Sequence, residues 1–136
     1  MFKVDNETKR IDVTRGDIGG MFVTAINELD GTDYTFVAGD VVRLKVFEKK
    51  DCNCVVLQKD FVAEEGSTMV EVSLESEDTK IGGIISKEKE YWYEVELNPE
   101  TAPQTIICYD KKGPKLFVVY PEGSNINEWY NWKFSK

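Results

Sequence analysis

The chain is 136 residues long, 41% hydrophobic and 12% aromatic, which suits one domain around one core. Its 25 acidic and 17 basic residues leave a formal charge of −8, without the basic footprint that neutralising phosphates requires, so nucleic acid is not expected as a partner. No apolar run reaches the roughly 18 residues of a membrane span, and the opening MFKVDNETKR has no apolar core with a cleavage site, so the chain is expected to be made in the cytoplasm, soluble and without a membrane partner.

In chain order, the first predicted strand covers Arg10 to Thr14 and the second Met21 to Asn27, with a turn at Asp30-Gly31. After Gly39-Asp40 the pattern sharpens: Val42, Leu44 and Val46 alternate with Arg43 and Lys45, as in a strand with one buried face. Cys54 to Phe61 is the next candidate, ending before Glu65-Gly66. Val70, Val72 and Leu74 then alternate with Glu71 and Ser73. Ser76 to Gly82 breaks the period: an N-capping Ser, early acids, Lys80 and a closing Gly predict one short helical turn that carries the chain between sheets. Tyr91, Tyr93, Val95 and Leu97 alternate with Trp92, Glu94 and Glu96, and Tyr91 or Tyr93 occupies the place of a corner-forming tyrosine. Turns at Asn98-Pro99 and Lys112-Gly113-Pro114 bound two further strands, Thr105 to Tyr109 and Lys115 to Tyr120, and Glu122-Gly123 ends the pattern. The short spacing predicts an all-β sandwich or barrel over residues 1–123.

Residues 124–136 form a separate aromatic tail. Trp129, Tyr130, Trp132 and Phe134 fall within thirteen residues, and Tyr130, Trp132 and Phe134 alternate with Asn131, Lys133 and Ser135. Such a segment makes a strand with one strongly apolar face, which either packs on its own domain or docks on the exposed sheet edge of a neighbour. These four aromatics are therefore the expected protein interface.

Catalytic chemistry has little to build on. The chain contains no histidine, which removes the Ser-His-acid triad, the Cys-His pair and imidazole metal sites. No phosphate-binding loop occurs around Gly19-Gly20 or Gly82-Gly83, and Asp30-Gly31-Thr32-Asp33 lacks the later ligands of a calcium loop. Cys52, Cys54 and Cys108 are an odd count without a secretory signal and are read as reduced thiols, with no metal or other cofactor. Arg15-Gly16-Asp17 reads as a strand end and turn with local charge pairing rather than a displayed adhesion tripeptide. A two-carboxylate glycoside hydrolase would need facing acids ~5–9.5 Å apart, whereas most acids of a small sandwich lie on solvated strand faces.

The strings Ile11-Asp12-Val13-Thr14-Arg15-Gly16-Asp17 and Phe22-Val23-Thr24-Ala25-Ile26 resemble the opening of the N-terminal domain of phage baseplate upper proteins. Tyr91 to Leu97, Gln104-Thr105 and Phe117-Val118-Val119 are similar to that family's closing strands, with Pro121-Glu122-Gly123 ending the module. Domains of this kind also occur in head and tail fibres. The resemblance, over about residues 9 to 123, implies an all-β, immunoglobulin-like β-sandwich that serves as a virion structural protein: a capsid decoration, head-fibre base, or baseplate or tail connector. It implies no enzymatic activity, other phage structural proteins as partners and homo-oligomeric assembly. The Gly82-Gly83-Ile84-Ile85 loop departs from the family pattern, and the longer fibre region that commonly follows such domains is not expected here. The alternative is a carbohydrate-binding module in which Trp92, Trp129 and Trp132 stack sugar rings.

Overall fold

Alternation in the sequence becomes alternation of burial along the central strands. The computed structural model describes residues 1–27, 29–49, 54–111 and 113–122. In it, β4 (Val41–Phe47), β6 (Val70–Leu74) and β7 (Lys89–Leu97) each bury every second side chain along their alternating stretches. Val42, Leu44, Val46, Val70, Val72, Tyr93, Val95 and Leu97 all lie inside, as the period predicts. The remaining strands are β1 (Phe2–Val4), β2 (Ile11–Thr14), β3 (Gly19–Val23), β5 (Val55–Val62), β8 (Gln104–Ile107) and β9 (Leu116–Tyr120).

Two sheets result. The larger runs β1-β2-β9-β7-β4-β5, and the smaller consists of β3 and β6. β2 and β9 pair in parallel; the other pairs are antiparallel. β9 lies along Lys89 to Trp92 of β7 and β8 along Val95 to Leu97, so both occupy one side of that strand, one after the other. The inward residues of both sheets make one core, with Ile11, Val13, Phe117 and Val119 meeting Val23, Val72 and Leu74. Lys59 stands opposite Leu44 on the inward side of edge strand β5, where it bonds Asp78 at 2.6 Å. An inward-pointing charge discourages a further strand from pairing there.

Several expectations change. The helical turn expected over Ser76 to Gly82 is a tight turn over 76–79 instead, and no helix occurs among the described residues. The amides of Asp78 and Thr79 bond the Glu75 carbonyl at 3.0 and 3.4 Å, while the Asp78 carboxylate accepts the Glu75 amide at 2.8 Å. Tertiary bonds hold this shape: Thr79, fully buried, donates to the Asp17 carbonyl at 2.8 Å and accepts the Gly16 amide at 3.0 Å. The turn does carry the chain from the small sheet to the large one. The strand predicted from Met21 to Asn27 instead covers Gly19–Val23, because β6 begins at Val70 opposite Val23 and later residues have no partner strand among the described residues. Tyr93 acts as a tie of unexpected reach: its hydroxyl donates to the Lys9 carbonyl, joining β7 to the β1–β2 connection. Cys54, exposed before β5, is disulfide-bonded, which corrects its reading as a reduced thiol; exposure leaves a thiol open to oxidation. Cys108 is free and half-buried, and burial pushes its thiol pKa up.

Candidate interaction surface

Beyond Val23 the chain folds back on itself. The Asn27 amide bonds the Thr32 carbonyl at 2.7 Å and the Tyr34 amide bonds the Ala25 carbonyl at 2.8 Å, closing a narrow loop around Asp30-Gly31. Gly31 takes a φ of +73°, which glycine adopts without steric cost. The Tyr34 and Phe36 rings meet edge to face, 5.4 Å between centroids, and Phe36 seals the core beneath.

Asp40 anchors this loop to the large sheet. Only 4% exposed, its carboxylate accepts Asn98 Nδ2 at 2.8 Å, the Val37 amide at 2.9 Å and the Tyr34 hydroxyl at 2.8 Å. Burial alone would raise its pKa. The bonds from Asn98, Val37 and Tyr34 outweigh that and hold the carboxyl below its ordinary range. Asn98 Oδ1 in turn accepts the Val41 amide at 2.8 Å, and Asn98 sits at a φ of +49°, a left-handed conformation that Asn tolerates better than most residues.

Between the anchored loop and β8 lies a groove of about 660 Å³, lined among others by Ala25, Ile26, Leu29, Tyr34, Leu97 and Ile106. Its size falls within the range of about 300–1,000 Å³ typical of ligand pockets. Leu29 is 97% exposed and Ile26 56%, a costly placement for two branched apolar side chains in a loop of polar residues. β8 pairs with β7 on one side only; its other edge carries no strand among the described residues. Gln104, Thr105, Ile106 and Ile107 bear no charge, so this edge lacks the protection that Lys59 gives β5.

The residues singled out from sequence fall elsewhere. Trp129, Tyr130, Trp132 and Phe134 lie outside the described residues. Trp92 is on the outward side of β7, half-buried, in register with Phe47 and Leu116, and its indole nitrogen is shielded from solvent without a hydrogen-bond partner among the described residues. Arg15-Gly16-Asp17 is used internally: Arg15 pairs with Glu122 at 2.5 Å and reaches the Gly82 carbonyl, while Asp17 pairs with the N-terminal amine. Ile26 and Leu29 carried no site signal in the sequence, because apolar residues in a loop follow no period, and Ile106 read only as part of a short strand. Among the described residues, no cluster of three or more acid, thiol or imidazole groups is placed to hold a metal ion.

Comparison of the chain with protein-family models, curated proteins and solved structures finds no match.

Proposed function

We propose that this chain is a bacteriophage virion structural protein. In this reading it is an immunoglobulin-like attachment module, made in the host cytoplasm, that binds other phage structural proteins as a capsid decoration, head-fibre base, or baseplate or tail connector. It works as a homo-oligomer through protein contacts and catalyses no reaction. The observation that carries the reading is the groove of mixed polar and apolar lining beside the edge of β8, since an edge without a partner strand among the described residues and a groove beside it suit capture of an extended segment from another protein.

Strand order supports the immunoglobulin-like part. β9-β7-β4-β5 in one sheet and β3-β6 in the other match the G-F-C-C′ and B-E groupings of such sandwiches. The strings that resemble phage baseplate upper proteins fall mainly on β2, β3, β7 and β9. Lack of histidine throughout the chain supports the absence of catalysis. A glycan-stacking platform draws less support, because Trp92 is half-buried.

Mass spectrometry of purified virions from the phage that encodes the chain tests the proposal. The expected result is the chain at a fixed copy number relative to the capsid or tail proteins. Its absence from mature particles rejects the reading.

A further inference from the structure

We infer that the groove between β8 and the Ala25–Tyr34 loop receives the aromatic C-terminal segment of a second copy of this chain, so that two copies exchange their C-termini. The inference rests on the reading of the chain as a protein-binding homo-oligomer and names the partner of that surface.

Three observations point to this occupant. The first is chemical fit. The groove offers exposed Ile26 and Leu29 beside Leu97 and Ile106, along an edge of β8 that pairs with no strand among the described residues. The segment that follows the described sandwich alternates Tyr130, Trp132 and Phe134 with polar residues, the pattern of a strand that adds to an edge and fills apolar pockets on one face. The second is charge. Residues 123–136 hold Glu128 against Lys133 and Lys136, a net +1, while the rest of the chain carries −9, and the loop forming one wall of the groove bears Asp30 and Asp33.

The third observation, reach, decides between a molecule's own segment and a neighbour's. β9 ends at Tyr120, just past the residue opposite Lys89, whereas the groove lies at the Leu97 end of the same strand. Those ends are eight residues apart, about 27 Å at ~3.4 Å per residue. A segment turning back at Glu122-Gly123 and running fully extended from Ser124 brings Trp129 about 17 Å along and Tyr130 about 20 Å, both short of the groove. Only Trp132 and Phe134 would arrive, so a molecule's own segment cannot seat all three aromatics of its apolar face. Because the chain leaves the sandwich at one end and the groove opens at the other, two copies lying side by side and antiparallel bring each segment to the other's groove. That arrangement closes with two-fold symmetry.

The test uses two full-length variants and sedimentation equilibrium. Ile26→Asp with Leu29→Asp spoils the groove at exposed positions, and Tyr130→Ser with Trp132→Ser and Phe134→Ser spoils the segment. Circular dichroism checks that both keep the wild-type sheet signal. The unmodified chain should have twice the monomer mass, and each variant alone the monomer mass. In an equimolar mixture a mixed pair keeps one of the two exchange contacts, the segment of the groove variant in the groove of the segment variant, so the mixture should dimerise, more weakly than the unmodified chain. A monomeric unmodified chain overturns the inference, as does a folded variant that stays dimeric, or a mixture that remains wholly monomeric. A variant that loses the sheet signal also counts against it, since the positions changed in that variant are then core rather than interface. Incorporation into particles is a separate measurement, so the exchange can fail while the virion reading stands.

Discussion

Replacing Asn98 by Ala removes the clamp between the groove loop and the large sheet. The Asp40 carboxylate, 4% exposed, loses the 2.8 Å bond from Asn98 Nδ2, and a hydrogen bond to a charged group contributes about 1.5–3 kcal/mol. The Val41 amide loses its 2.8 Å acceptor, worth about 1 kcal/mol. Ala must also hold the φ of +49°, at a further cost of about 1 kcal/mol. Together these predict a loss of about 3–5 kcal/mol, large against the roughly 5–15 kcal/mol of a typical domain. Urea unfolding followed by tryptophan fluorescence measures it. Asn98→Gly separates the terms, because glycine accepts the backbone angle and should recover about 1 kcal/mol. Asn98→Asp places a second carboxylate against Asp40, so its deficit at pH 7 should shrink as pH falls and one of the pair takes up a proton. A loss below 1 kcal/mol for Asn98→Ala, or an Asn98→Asp deficit that ignores pH, would refute the clamp.

Acid titration of the unmodified chain should show stability that is level near neutrality and falls below about pH 4, the ordinary carboxylate range. The sign follows from Asp40 and Asp78, whose carboxyls are held below their usual values when folded: their contribution is present above the unfolded pKa and is lost as pH drops through the folded one. Asp40→Asn should flatten that fall, and an unchanged acid limb would count against the assignment. Val95→Ala deletes two methyl groups from a position with no solvent exposure and should cost about 1–3 kcal/mol in thermal or urea unfolding; a neutral result would place Val95 outside the core. Gly20→Ala puts a Cβ 2.9 Å from the Val72 carbonyl oxygen across the β3–β6 pair, and the backbone shift needed should cost about 1–3 kcal/mol. Wild-type stability in that variant would mean the small sheet is looser than its register implies.

Strand identity and facing were legible wherever one buried face imposed a single period along the strand. Val42-Leu44-Val46, Val70-Val72-Leu74 and Tyr91-Tyr93-Val95-Leu97 declare their inward sides because any other register would turn a row of apolar side chains to water. Phe2–Val4 is too short to show a period, and it is a strand only because Ile11–Thr14 pairs with it. The stop of β3 at Val23 belongs to β6, which begins opposite it, and the shape of Ser76–Thr79 belongs to Asp17, Gly16 and Lys59. Groove position was likewise invisible in the chain order: Ile26 and Ile106 stand 80 residues apart, and only the Asp40–Asn98 clamp and the β7–β8 pairing bring their segments together. Local alternation determines which side chains must leave water, because burial on a pleated strand has period two. Which surfaces remain open afterwards depends on long-range pairing, because a strand edge or an exposed leucine acquires meaning only from the elements that do or do not come to lie beside it.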